Sequence, residues 1–247
     1  ILVLFSMKKC MPVLNKINCT KVWVILYLLT IPMMLCAVYS LEVNLSWDWG
    51  SIIKYSHASF YEGNTRYLDY LARYPNNHFW YFIVSTVLKF ASLFTSHVTL
   101  DTLKNITTGM SILFTLLTML VIYMSARLLY DEKKAFLVGL AALLYAPFYL
   151  YAQFSYTDSP AMLICATLLY TYIKLKRTES TKRRIYLSVI IGLLSALAIN
   201  IKILVLITTI AMLLDLVLKV ISKNYKHLYS IAVIVISTVI FSSSLAY

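Results

Sequence analysis

A chain of 247 residues that is 61% apolar and only 13% charged departs from soluble globular proteins, which run at about 45–50% and about 25%. A mean hydropathy of +0.78, with five Gly and five Pro, excludes a soluble domain, a disordered tail, a disulfide scaffold and the collagen-like or low-complexity classes. The formal net charge of +12 does not call for nucleic acid as a partner, because the cytoplasmic loops of membrane proteins gather Lys and Arg. An all-α integral membrane protein remains.

Residues 1–21 hold four Lys and no acid and read as a cytoplasmic N-terminal segment. The chain starts at Ile1, whereas Met7-Lys8-Lys9 resembles a natural start, and it ends within an apolar stretch, Ile231–Tyr247. Both features predict a piece of something longer, truncated at its C-terminus. Residues 22–247 read as a single transmembrane module. Seven stretches are long and apolar enough to cross about 30 Å of hydrocarbon: 22–40, 106–128, 135–152, 159–175, 185–201, 203–221 and 228–245. Val22–Ser40 is too long for the core of a signal peptide, and "MLCAVYS" is a poor cleavage site, so it is retained as a helix.

An eighth stretch, 79–94, is shorter and carries Lys89. The stretch 174–184, "KLKRTESTKRR", has six basic residues and belongs inside, as does the N-terminus. Counting crossings between them puts both flanks of 79–94 on the outer face, so it is predicted to be a re-entrant or interfacial helix within one outer loop, 41–105. Sixteen of the 22 basic residues then fall inside. Trp23, Trp47, Trp49, Tyr39, Tyr151 and Tyr186 fall near predicted interfaces, as in aromatic belts. Cys10, Cys19, Cys36 and Cys165 show no metal or redox spacing, and sequons at Asn18, Asn44 and Asn105 are no more than chance gives.

Four polar motifs fall on the predicted outer face. "SWDWG" places Asp48 between two tryptophans, where it reads either as a solvated acid flanked by membrane anchors or as a general base at the membrane surface. "RYPNNHFWY" brings Arg73, Tyr74, Asn76, Asn77 and His78 around Pro75. It reads as a plain helix start or as hydrogen-bonding groups for a sugar, with Arg73 and His78 for a phosphate. "YTDSP" offers Asp158 as an N-cap before Ser159-Pro160, a role compatible with a functional one. "NIKIL" sets Lys202 in an otherwise apolar run, where it snorkels or binds an anion. Asp215, with Lys219 four residues on, reads as a structural pair.

In this order the motifs resemble the GT-C membrane glycosyltransferases. The likeness is greatest to the branch of protein O-mannosyltransferases and the lipid A aminoarabinose transferase, in its bacterial cell-envelope form. It rests on Asp48 in "SWDWG", on 73–81, on "YTDSP" at 156–160 and on "NIKIL" at 200–204, and covers most of the chain.

The resemblance implies a multi-pass cell-membrane protein of about seven spans, with juxtamembrane helices in its outer loop. It implies transfer of a sugar, with inversion, from a polyprenyl-phosphate donor to a protein, glycolipid or polysaccharide acceptor on the outer face, amid membrane lipids. Asp48 would be the base, and Lys202 with Arg73 would stabilise the phosphate. Asp158 would position the acceptor or bind a divalent cation, while Tyr74, Asn76, Asn77 and His78 would contact sugar or phosphate. In the family an acid or His often stands beside the Pro and helps to hold a metal. Here Arg73 and Tyr74 precede Pro75, so a metal stays open. A flippase for lipid-linked sugars, or an inactive truncated scaffold, are the other readings. A transporter calls for polar groups deep in the bilayer, whereas these gather at one face.

Overall fold

The computed structural model describes residues 17–41 and 43–245, which form helices and connecting turns without a strand. Most of the predicted cytoplasmic segment, 1–16, lies outside the described residues. Helix α1 (Cys19–Ser40) starts where the Asn18 side chain accepts from the Lys21 amide, and it turns Ile25, Leu28, Leu29 and Met33 outward. Exposed apolar residues in that number suit a lipid environment and not water. Pro32 lies within α1, as transmembrane helices tolerate.

The predicted outer loop is itself helical: α2 (Trp47–Glu62), α3 (Arg66–Arg73), a 3₁₀ turn (Pro75–Asn77) and α4 (His78–Ala91). These pieces have their own apolar core, in which Ile52 and Ile53 of α2 meet Trp80, Val84 and Leu88 of α4. Helix α4 has 14 residues, about 21 Å of rise, which is short of a span.

The long helix α5 (Leu100–Leu129) follows, capped by Thr99. The last residues of the predicted outer loop, among them Asp101, Lys104 and Asn105, are thus helical and extend α5 beyond its apolar part. Next come α6 (Glu132–Leu143), α7 (Ala146–Tyr151), α8 (Asp158–Arg177), α9 (Thr181–Ile201), a 3₁₀ turn (Ile203–Val205), α10 (Leu206–Ile221) and α11 (Lys226–Leu245).

Among the described residues, four helical stretches are long and apolar enough to cross a membrane: Cys19–Ser40, Leu100–Leu129, Thr181–Ile201 and Ile203–Ile221. The apolar part of α11, Lys226–Ser242, is shorter, and α8 carries Lys174, Lys176 and Arg177 in its last turn. The expected span 135–152 is not one helix. It breaks between α6 and α7, where Pro147 supplies no amide donor and disfavours helical geometry just before it.

Two clusters form the body of the bundle, one among α1, α5, α6 and α7 and one among α8 to α11. Trp23, expected at an interface, is buried and stacks on Tyr123 at 3.8 Å between centroids; Trp49 is likewise a core residue. Asp215 pairs with Lys176 of α8 at 2.9 Å and accepts from Tyr172, so its partner comes from a neighbouring helix and not from the expected Lys219.

Candidate active site

The turn into α2 is closely packed. A Cβ on Gly50 would fall 2.5 Å from the Leu45 carbonyl carbon, so the glycine lets the incoming chain lie against the first helical turn. The Lys54 ammonium donates to the Leu45 carbonyl oxygen at 2.9 Å. Trp47 begins the helix at φ 56°, in the left-handed region, with its ring 87% exposed. A bulky residue held there costs about 1–3 kcal/mol. Asp48 sits in the first turn of α2, where the helix dipole favours a carboxylate.

Three side chains from three segments form a network around that carboxylate. Asn77, fully buried at 0% exposure, donates from Nδ2 to the Tyr70 hydroxyl at 2.7 Å. Tyr70 in turn donates to Asp48 Oδ1 at 3.0 Å. The Tyr156 hydroxyl lies 2.6 Å from Asn77 Oδ1 and 3.4 Å from Asp48 Oδ2. Its single proton goes to the nearer acceptor, which leaves Oδ2 the less committed carboxylate oxygen. Burial, followed by the charge of Asp48, pushes the Tyr156 phenol up to about 12. Burial and the hydrogen bond to Asp48 raise Tyr70 as well. Both phenols therefore remain neutral donors at ordinary pH.

The segment that brings Tyr156 is fixed from two sides. Trp80 Nε1 donates to the Ser155 carbonyl at 3.2 Å, and Ser111 Oγ donates to that of Phe154 at 3.3 Å. Two residues on, Asp158 opens α8, and the N-cap position belongs to Thr157. The expected capping role of Asp158 is therefore not taken, and the Thr157 side chain makes no capping hydrogen bond either. Asp158 forms an ion pair with Lys202, which is extended (φ −160°) between α9 and the 3₁₀ turn. Lys202 is therefore neither free nor simply snorkelling, and its charge is directed to Asp158.

Two cavities share Asp158. One, of about 620 Å³, is lined by Asp48 and Asp158 with Trp47, Trp49, Tyr151 and Phe154. The other, of about 560 Å³, runs between helices. Ile122, Met162, Leu169 and Leu204 make its apolar wall, and Asp158 and Lys202 mark its polar end. An aromatic-walled chamber holding two carboxylates thus adjoins an apolar groove, and an ion pair stands at the junction.

The remaining predicted residues divide. Asn76 donates to Asn77 Oδ1 at 3.1 Å, and the ring of Tyr74 lies 5.1 Å from that of Tyr70, so both support the network from outside. His78 lines a different cavity, beside Ser56, Tyr67 and Lys89, and Arg73 is exposed at the end of α3. Neither His78 nor Arg73 lines the chamber of Asp48. Tyr70 and Tyr156 were not singled out from the sequence. Tyr156 lies inside "YTDSP" and Tyr70 three residues before "RYPNNHFWY", but one tyrosine among 20 carries no local mark of its partner.

The residues do not suit a divalent metal. Asp48 is held by phenols and Asp158 by an ammonium. Among the described residues no group of three His, Cys, Asp or Glu converges.

A family model described as dolichyl-phosphate-mannose-protein mannosyltransferase matches residues 83–244. No curated protein and no solved structure matches the chain.

Proposed function

The chain belongs to this mannosyltransferase family, and on that premise we propose that Asp48 and the Asp158–Lys202 pair divide acceptor from donor chemistry in a single inverting transfer. Membership makes the protein a membrane glycosyltransferase that uses a polyprenyl-phosphate-linked sugar. The observation that carries the finer reading is the junction of the two cavities. An isoprenoid tail suits the apolar groove, its phosphate suits the cation at the polar end, and the sugar then projects into the chamber where Asp48 stands.

In this reading Oδ2 of Asp48 takes the proton of an acceptor hydroxyl as its oxygen attacks the anomeric carbon. The bond from that carbon to the phosphate oxygen breaks on the opposite side, which inverts the centre and releases polyprenyl phosphate. A phosphate monoester has a second pKa of roughly 6, so this leaving group needs a nearby cation more than a proton. Lys202 supplies it. Asp158 holds the ammonium at the junction until the phosphate competes for it, which makes Asp158 a positioning residue. Tyr74 and Asn76 act in this reading only by supporting Tyr70 and Asn77, and no step is assigned to Arg73 or His78. Proteins, glycolipids and polysaccharides are the acceptor classes with a suitable hydroxyl.

Membranes carrying the protein, supplied with radiolabelled polyprenyl-phosphate mannose and a panel of those acceptors, should yield a labelled non-carrier product. Label that crosses the bilayer but stays on its carrier would favour a flippase instead.

We place the chamber on the outer face because the basic residues of 174–184 lie at the other end of α8 and α9. Single cysteines at Thr65 and Thr99, in a background without native cysteines, should react with an impermeant thiol reagent added to whole cells. A cysteine at Lys182 should stay unlabelled until the membrane is opened. Labelling of Lys182→Cys alone would invert the topology.

A further inference from the structure

At the far end of α9 from Lys202, helices α9 and α11 run side by side in the same direction. Gly192 lets them approach, since a Cβ there would fall 2.4 Å from the Cβ of Ser237. Their N-termini open onto a cavity of about 140 Å³ lined by Thr181, Arg184, Ser188, Lys226, Tyr229 and Ser230. Arg184 and Ser188 are one turn apart on α9, as are Lys226 and Ser230 on α11, so each helix offers a cation and a hydroxyl from one face.

The Arg184 guanidinium is buried at 4% exposure. It donates from Nη2 to the Thr178 carbonyl at 2.6 Å and from Nη1 to Nδ1 of His227 at 3.3 Å. Because Arg only donates, His227 accepts as a neutral imidazole. Two of five guanidinium N–H groups are thereby used. None of the ion pairs among the described residues gives Arg184 a carboxylate. Of the acids nearby, Glu179 is exposed and takes Lys226 at 3.1 Å, and Asp215 is committed to Lys176 at 2.9 Å. The Ser188 and Ser230 hydroxyls, 0% and 1% exposed as residues, have no hydrogen-bond partner.

A buried cation without an anion is costly, as are buried hydroxyls without partners. Here both deficits face one small cavity, and the positive ends of two helix dipoles add to them. A tetrahedral oxyanion answers all of these at once. Its several oxygens can accept from the spare guanidinium N–H groups and from both hydroxyls. We propose that this cavity is a second anion site, separate from the transfer site, that binds a phosphoryl group carried by an anionic lipid headgroup or by free phosphate. It lies about 27 Å from Lys202 along α9, at about 1.5 Å per residue. The basic stretch 174–184 surrounds its entrance and raises the local anion concentration.

Replacing Arg184 would also release Thr178 and His227, so the informative variant is Ser188→Ala/Ser230→Ala. It removes two unpartnered hydroxyls and keeps every hydrogen bond present. Purified protein in neutral detergent is titrated with inorganic phosphate or with dihexanoyl phosphatidic acid, at ionic strength matched with chloride, and Tm is followed. The wild type should be stabilised in a saturable manner, and Lys202→Met should respond equally, which separates this site from the donor phosphate site. The double alanine variant should match or exceed the wild-type Tm without ligand and bind at least about tenfold more weakly, as expected for losing hydrogen bonds to a charged group. Stabilisation by phosphatidic acid alone assigns a lipid headgroup, and stabilisation by both probes assigns the phosphate itself. No shift in the wild type, or equal shifts in wild type and double variant, would overturn the site; either single alanine variant gives the same comparison.

Discussion

Asp48→Asn should lower sugar transfer by about 10²–10⁴, the range for a positioned acid–base group, while leaving donor affinity nearly unchanged. The amide has the size of the carboxylate, and its oxygen can still accept from Tyr70, which now lies 3.0 Å from Oδ1. The network and the fold should therefore persist, and the loss should appear in kcat. Asp48→Glu should recover little, because one more methylene displaces the oxygen from in-line attack geometry. Transfer by Asp48→Asn within threefold of the parent would refute the assignment. Asp158, the other acid of the same chamber, would then be the candidate.

Lys202→Met should weaken binding of the polyprenyl-phosphate donor by roughly tenfold to a hundredfold, corresponding to about 1.5–3 kcal/mol for a hydrogen bond to a charged group. The variant also strips Asp158 of its partner, and an uncompensated carboxylate would itself repel phosphate. Lys202→Met/Asp158→Asn separates the two effects: any loss that persists in the double variant belongs to the missing cation. Donor affinity within twofold of the parent in both variants would leave Lys202 a structural group.

The sequence was most informative where the physics is additive along the chain. Apolar length located α1, α5, α9 and Ile203–Ile221, and the short stretch at 79–94 answers to a 14-residue helix. It misled where one residue acts on the backbone: Pro147 splits a stretch whose hydropathy is continuous.

The same distinction runs through the site. Asp48, Asp158 and Lys202 stand out as charges among apolar neighbours, and the fold gathers them around adjoining cavities. Arg73 and His78 adjoin Pro75 along the chain, but the turn Pro75–Asn77 and the end of α3 direct them elsewhere. Tyr70 and Tyr156 matter through contacts across 22 and 108 residues, which no local pattern reports.

The burial of Asn77 has a consequence for timing. It touches both phenols, so the surroundings of Asp48 are set when α2, α3 and the segment before α8 come together during folding. A flexible surface acid would lose rotamer freedom each time a substrate arrived. Here the ordering entropy of the carboxylate is spent once, in folding, and in the proposed reaction successive turnovers would find it already oriented.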